Sequence, residues 1–154
     1  LNIQTELKKL RDNRLLRNSD EINEFESAIA NIVELEDADH IEYLCQGFDD
    51  STEEDEVMFG LIHAIESYDN KFDGEITLKK FAEAVPSMLP HPKEWSKIMH
   101  KRILNHEPSR ITYSKIIKEL DKEIQSKIVD QLVEIKNKNP KRFEASANQI
   151  IEHL

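Results

Sequence analysis

Between Asn18 and Asn70 the sequence has no lysine and no arginine. The same 53 residues hold 17 Asp and Glu, so the stretch carries a net −17. Elsewhere 14 acids are outweighed by 21 Lys and Arg, leaving +7 there and −10 overall. An acidic field this concentrated repels phosphate and attracts basic protein, so direct nucleic-acid binding is not expected of it. The plainer alternative is a solvated acidic face that serves solubility. Cysteine is nearly absent: Cys45 alone makes neither an intramolecular disulfide nor a cysteine-based zinc site. Its acidic neighbours raise a thiol pKa and dull its reactivity, which suits a small buried hydrophobe.

Other absences narrow the field further. No apolar run approaches the roughly 18 residues that span a bilayer, so no membrane segment is expected. The first 17 residues carry five basic and two acidic side chains, which is not the apolar core of a secretion signal. A cytoplasmic protein is therefore expected. Nucleophile elbows, P-loops and dinucleotide fingerprints are missing. The histidines His40, His63, His91, His100, His106 and His153 show no spacing that stacks two on one helix face, so neither a metal nor a cofactor is expected. Carboxylates abound, but nothing sets two of them in distinct acid and base roles. The expectation is a non-enzyme.

What is present is helix-forming stock, with only three glycines and five prolines as punctuation. Leu7, Leu10 and Arg14 to Leu16 suggest a first helix. Ile22, Phe25, Ile29 and Ile32 mark a second, capped by Ser19 or Asp20. Asp37 or Asp39 can cap a short third through Ile41 and Leu44, ending near Gly47. Glu53 to Glu56 suit the positive end of a fourth, with Val57, Leu61, Ala64, Ile65 and Tyr68 as its stripe. A fifth is predicted from about Thr77 and ends near Pro86, and Pro92 can open the sixth. Pro108 and Pro140 restart later helices. The predicted fold class is all-α: eight or nine helices in antiparallel pairs, as an irregular HEAT- or armadillo-like solenoid or a compact helical globule. One helical domain over 1–154 is expected, with an acidic N-terminal half (18–70) and a mildly basic C-terminal half (71–154).

The stretch "SYDNKFDGEITLKKF", Ser67 to Phe81, resembles a calcium loop. With Gly74 at loop position 6, Asp69, Asp73 and Thr77 fall where oxygen ligands belong. Lys71 and Lys80 fall at positions 3 and 12, putting two cations in the ligand ring. A degenerate EF-hand is the weakest alternative; a Gly-assisted turn, with Gly74 free to take positive φ, is the expected geometry. Tyr43 and Phe48 sit among the acids as candidate interface anchors, with core packing the alternative for both and the expected role of Phe48; Trp95, at a helix start, is also expected in the core.

The segment "NEFESAIANIVELEDADHIEYLCQGFDDSTEEDEVMFGLIHAIESYD", with "KIMHKRILNHEPSR" (Lys97 to Arg110) and Tyr113 beyond it, resembles bacterial polymorphic-toxin immunity proteins, specifically immunity protein family 30. That resemblance implies a cytoplasmic antitoxin. It would neutralise the C-terminal domain of a secreted or wall-associated toxin, a nuclease being the expected class of basic partner. The toxin-binding residues expected are Asp49, Asp50, Glu53, Glu54, Asp55 and Glu56, with Glu36, Asp37 and Asp39 next and Tyr43 as an anchor. A HEAT-like adaptor for some other basic partner is the alternative.

Overall fold

The computed structural model describes residues 2–154. Among these there are nine α-helices and no strands. They are α1 (Ile3–Asp12), α2 (Ser19–Glu34), α3 (Ile41–Cys45), α4 (Asp55–Glu66), α5 (Gly74–Ala84), α6 (Lys93–Leu104), α7 (Glu107–Glu119), α8 (Lys122–Lys138) and α9 (Pro140–Ile151). Single 3₁₀ turns, Ala38–His40, Ser67–Asn70 and Val85–Met88, lead into α3 and follow α4 and α5. No helix among the described residues is long and apolar enough to cross a membrane.

Most helices pack on a chain neighbour or on the helix two along. Thus α1 meets α2 and α3, α2 meets α4, α3 meets α4 and α5, and α5 meets α7. Further on, α6 meets α7 and α8, and α9 lies on both α7 and α8. This is the stacked-hairpin arrangement of an α-solenoid, with odd-numbered helices in one layer. The C-terminal half closes more tightly, because α6 also reaches α9 and α5 reaches α8. Apolar side chains from Leu10 to Ile150 form one continuous buried cluster. The expected all-α fold class is thus present among the described residues.

Local chemistry moves several predicted boundaries. Asn18, not Ser19 or Asp20, caps α2: its side chain accepts from the Glu21 N–H at 2.9 Å. Glu21 returns the favour by accepting from the Arg17 N–H at 2.7 Å, close to a capping box. Helix α1 stops at Asp12, and Arg14 to Leu16 lie beyond it; Leu16 takes φ 53° and turns into the core. The fifth helix begins at Gly74 rather than Thr77. Gly74 is not in the left-handed region, so the predicted positive-φ turn is corrected: the reversal is made by the 3₁₀ turn Ser67–Asn70. Pro92 precedes α6 instead of opening it, whereas Pro140 does start α9.

Helix α4 is rotated from its predicted phase. Its buried residues are Met58, Leu61, Ile62 and Ile65, while Val57 and Ala64 are only half-buried. The rotation seats Ile62 and Met58 in the core and leaves the Val57–Ala64 edge beside α2.

A buried polar chain joins α6, α7 and α8. His100 is fully buried; its Nδ1 donates to Gln131 Oε1 (2.7 Å), which also accepts from Ser96 Oγ (2.9 Å). On the other side His100 Nε2 accepts from the Tyr113 hydroxyl at 2.7 Å. Both contacts suit a neutral ring, and burial pushes the imidazole down to about 4, against smaller upward effects from Gln131 and Ser96. Below pH 6.5 the unfolded chain therefore takes up a proton that the folded chain refuses. Stability falls as pH drops from about 6.5 towards 4, by an amount on the order of 3 kcal/mol when the whole window is crossed. Thermal melts at pH 7.5 and 5 should show this fall. It should shrink in His100→Gln, which removes the titrating group; an equal fall in both proteins would assign the pH effect elsewhere.

Candidate partner-binding surface

The acids predicted to form one surface divide into three groups. Asp49 and Asp50 face inward, and for these two the expected outward role is corrected. Asp49 is only 5% exposed. Its carboxylate accepts from the Ser51 N–H (2.7 Å) and lies 3.5 Å from Arg14 Nε and 3.4 Å from His91 Nε2. Asp50 caps α6 from outside the helix, accepting from the Glu94 and Trp95 N–H groups at 3.1 and 3.2 Å. Pro92, at the N-cap position, supplies no side-chain bond, so Asp50 takes that role across more than 40 residues of chain. The Trp95 indole Nε1 donates to the Asp49 carbonyl at 3.1 Å.

Glu36, Asp37 and Asp39 sit past the C-terminus of α2. Lys71 lies 3.4 Å from Glu36, and Lys80 lies 2.8 Å from Asp39. The hydrogen bond to Lys80 holds the Asp39 carboxyl below its usual range, and Asp39 in turn raises Lys80. The two lysines that spoil the calcium loop thus tie α5 and the preceding turn to this acidic corner. No group of three or more His, Cys, Asp or Glu is placed to hold a metal among the described residues.

Glu53, Glu54, Asp55 and Glu56 are the third group. All four are exposed, and none has an ion-pair partner among the described residues. Asp55 and Glu56 lie in the first turn of α4, at the positive end of its dipole. Glu36 lies two residues past α2, and its partner Lys71 follows the 3₁₀ turn that ends α4. Helix α4, of 12 residues, is about 18 Å long, with Glu53 to Glu56 at its N-terminal end and the Glu36–Lys71 pair beyond its C-terminal end. The predicted acids thus divide into buried or capping carboxylates, carboxylates at the Lys71 and Lys80 corner, and free exposed ones.

Of the aromatic candidates, Tyr43 is half-buried, with its ring 5.6 Å from that of His40. Phe48 is core: it stacks on Trp95 at 5.9 Å. Cys45 is buried as expected, and loss of solvent together with nearby Glu42 pushes its thiol up to about 12.

Sequence reasoning missed a groove between α2 and α4. It has a volume of about 470 Å³ and is lined by Ile29, Ala30, Val33, Val57, Gly60 and Ala64, with Glu26 and Glu34 at its rim. Gly60 lies mid-helix, where glycine costs about 1 kcal/mol relative to alanine. A Cβ there would meet nothing within 4 Å. At Gly47, by contrast, a Cβ would come within 3.0 Å of Leu10 and 3.1 Å of Leu61, which accounts for that glycine internally. A glycine inside a helical run is the one sequence feature that points to the groove.

The sequence model of the immunity protein 30 family matches residues 12–113. The chain belongs to this family. No curated protein and no solved structure matches it. The matched span takes in the end of α1, all of α2 to α6 and α7 as far as Tyr113, so every acid discussed above lies inside it. As an immunity protein 30 member, the chain is assigned an immunity role, the binding of a cognate toxin. Helices α8 and α9 lie beyond the match; their part in this immunity protein is to supply Gln131 and to complete the core around α6 and α7.

Proposed function

We propose that the chain is a non-catalytic antitoxin that neutralises the C-terminal domain of a secreted or wall-associated toxin, and that this toxin is a nuclease. The observation that carries the reading, beyond family membership, is the unpaired acidic group Glu53, Glu54, Asp55 and Glu56 in a half of the chain without Lys or Arg. A nuclease must bind phosphate, so its cleft is basic; an acidic helical end can speed encounter with it and keep nucleic acid out. Glu36, Asp37 and Asp39 at the far end of α2 and α4, with Tyr43 nearby in the chain, extend the proposed contact. Protection within the cytoplasm of the producing cell needs tight binding, and a nanomolar Kd corresponds to about −12 kcal/mol. Charge alone does not supply that, so apolar anchoring is required as well.

Co-expression with the C-terminal domain encoded by the adjacent upstream gene tests the reading. Rescue of growth and co-purification of the two proteins are expected. A domain that stays lethal and does not co-purify would refute the pairing.

A further inference from the structure

We infer that the α2–α4 groove is the apolar half of the toxin contact, receiving an apolar side chain flanked by Lys or Arg from the toxin domain. The inference rests on the antitoxin reading and adds a place for the anchor that charge cannot provide. Three observations carry it. Val57 and Ala64 are left half-buried on the groove side of α4, opposite Ile29 and Val33 of α2. Gly60 weakens α4 at its centre without any intramolecular neighbour that needs the space. A partner brought close against the α4 backbone gives that glycine a use.

Charge then selects the occupant. Glu26 and Glu34 rim the groove, and neither has an ion-pair partner among the described residues. The exposed acids Glu53 to Glu56 stand at the N-terminal end of α4, and Glu36 lies past its C-terminal end. An apolar slot with carboxylates along its rim and at both ends matches a basic, partly apolar segment. A second copy of this chain would bring the same acids face to face, which opposes self-association through this groove.

The test compares the intact chain with Gly60→Leu, Gly60→Ala and the double variant Glu26→Lys/Glu34→Lys. The probe is the catalytically inactivated C-terminal domain encoded next to it. Because the space over Gly60 is open, Gly60→Ala should raise the melting temperature of the free chain by about 3 °C, and Gly60→Leu should fold. Gly60→Leu fills the groove and should weaken toxin binding at least thirtyfold. The double lysine variant should weaken it at least tenfold at low salt, and less at high salt. Wild-type binding matched by Gly60→Leu would overturn the groove while leaving the antitoxin reading in place. Absence of wild-type binding would remove both. A concentration-dependent dimer abolished by Gly60→Leu would replace the toxin with a second copy and overturn the proposal.

Discussion

Trp95→Ala lowers the stability of the chain by about 3–5 kcal/mol, the range for deleting a large buried aromatic. The indole is 5% exposed and packs on Phe48 at 5.9 Å and edge-on with Phe59 at 5.3 Å. Truncation opens a cavity between these rings. It also strips the Asp49 carbonyl of the indole N–H that now reaches it at 3.1 Å. The residue pins the 48–50 segment to α6, and the same segment leads directly to Glu53 and Glu54. Loss of the pin therefore loosens the start of α4 as well. Chemical denaturation followed by far-ultraviolet circular dichroism measures the effect, since the chain has one tryptophan and the variant loses its fluorescence. Trp95→Phe, which keeps an aromatic ring but not the N–H, should fall between wild type and Trp95→Ala. A loss below about 1 kcal/mol in Trp95→Ala, the scale of a minor surface change, would mean that the core closes without this contact.

What could be read in the sequence follows the range of the interactions involved. Helices are local, so their three- and four-residue spacings, and breaks at Pro86, Pro108 and Pro140, placed most elements correctly. The burial of Phe48 and Trp95 followed from size and apolarity. The phase of α4 did not, because Val57 and Met58 are equally apolar and only the fit against α2 decides which is buried. Asn18 prevailed over Ser19 and Asp20 as a cap because Glu21 can bond back only from one register. The acids were hardest to read. A sequence records that Asp49 and Asp50 are charged; it does not record that α6 begins at a proline without a cap and borrows theirs. Nor does it show that Lys71 and Lys80 fold back onto Glu36 and Asp39. Runs of acid look uniform in sequence, but structure sorts them into caps, ion pairs and free charge. Only the free charge is available to a partner.

That sorting gives the largest functional prediction. Replacing Glu53, Glu54, Asp55 and Glu56 together by Lys should raise the Kd for the toxin domain by about 100- to 1,000-fold at low salt. Most of the early loss should lie in the association rate, because these side chains are exposed and act at a distance. The chain goes from −10 to about −2 on this change, so the long-range pull is nearly abolished. Raising the salt screens what remains, and wild type and variant should converge as the Debye length shrinks to about 3 Å at 1 M. Two of the four positions lie in the first turn of α4, where a cation opposes the helix dipole at about 0.3–1 kcal/mol each. The neutral set Glu53→Gln, Glu54→Gln, Asp55→Asn and Glu56→Gln separates this effect from binding. It should retain the melting temperature more nearly while still slowing association. Reversal of Asp49 and Asp50 should do the opposite, destabilising the chain, because Asp49 is buried beside Arg14 and His91 and Asp50 caps α6. An affinity and salt dependence unchanged by the four lysines would move the toxin contact off this end of α4.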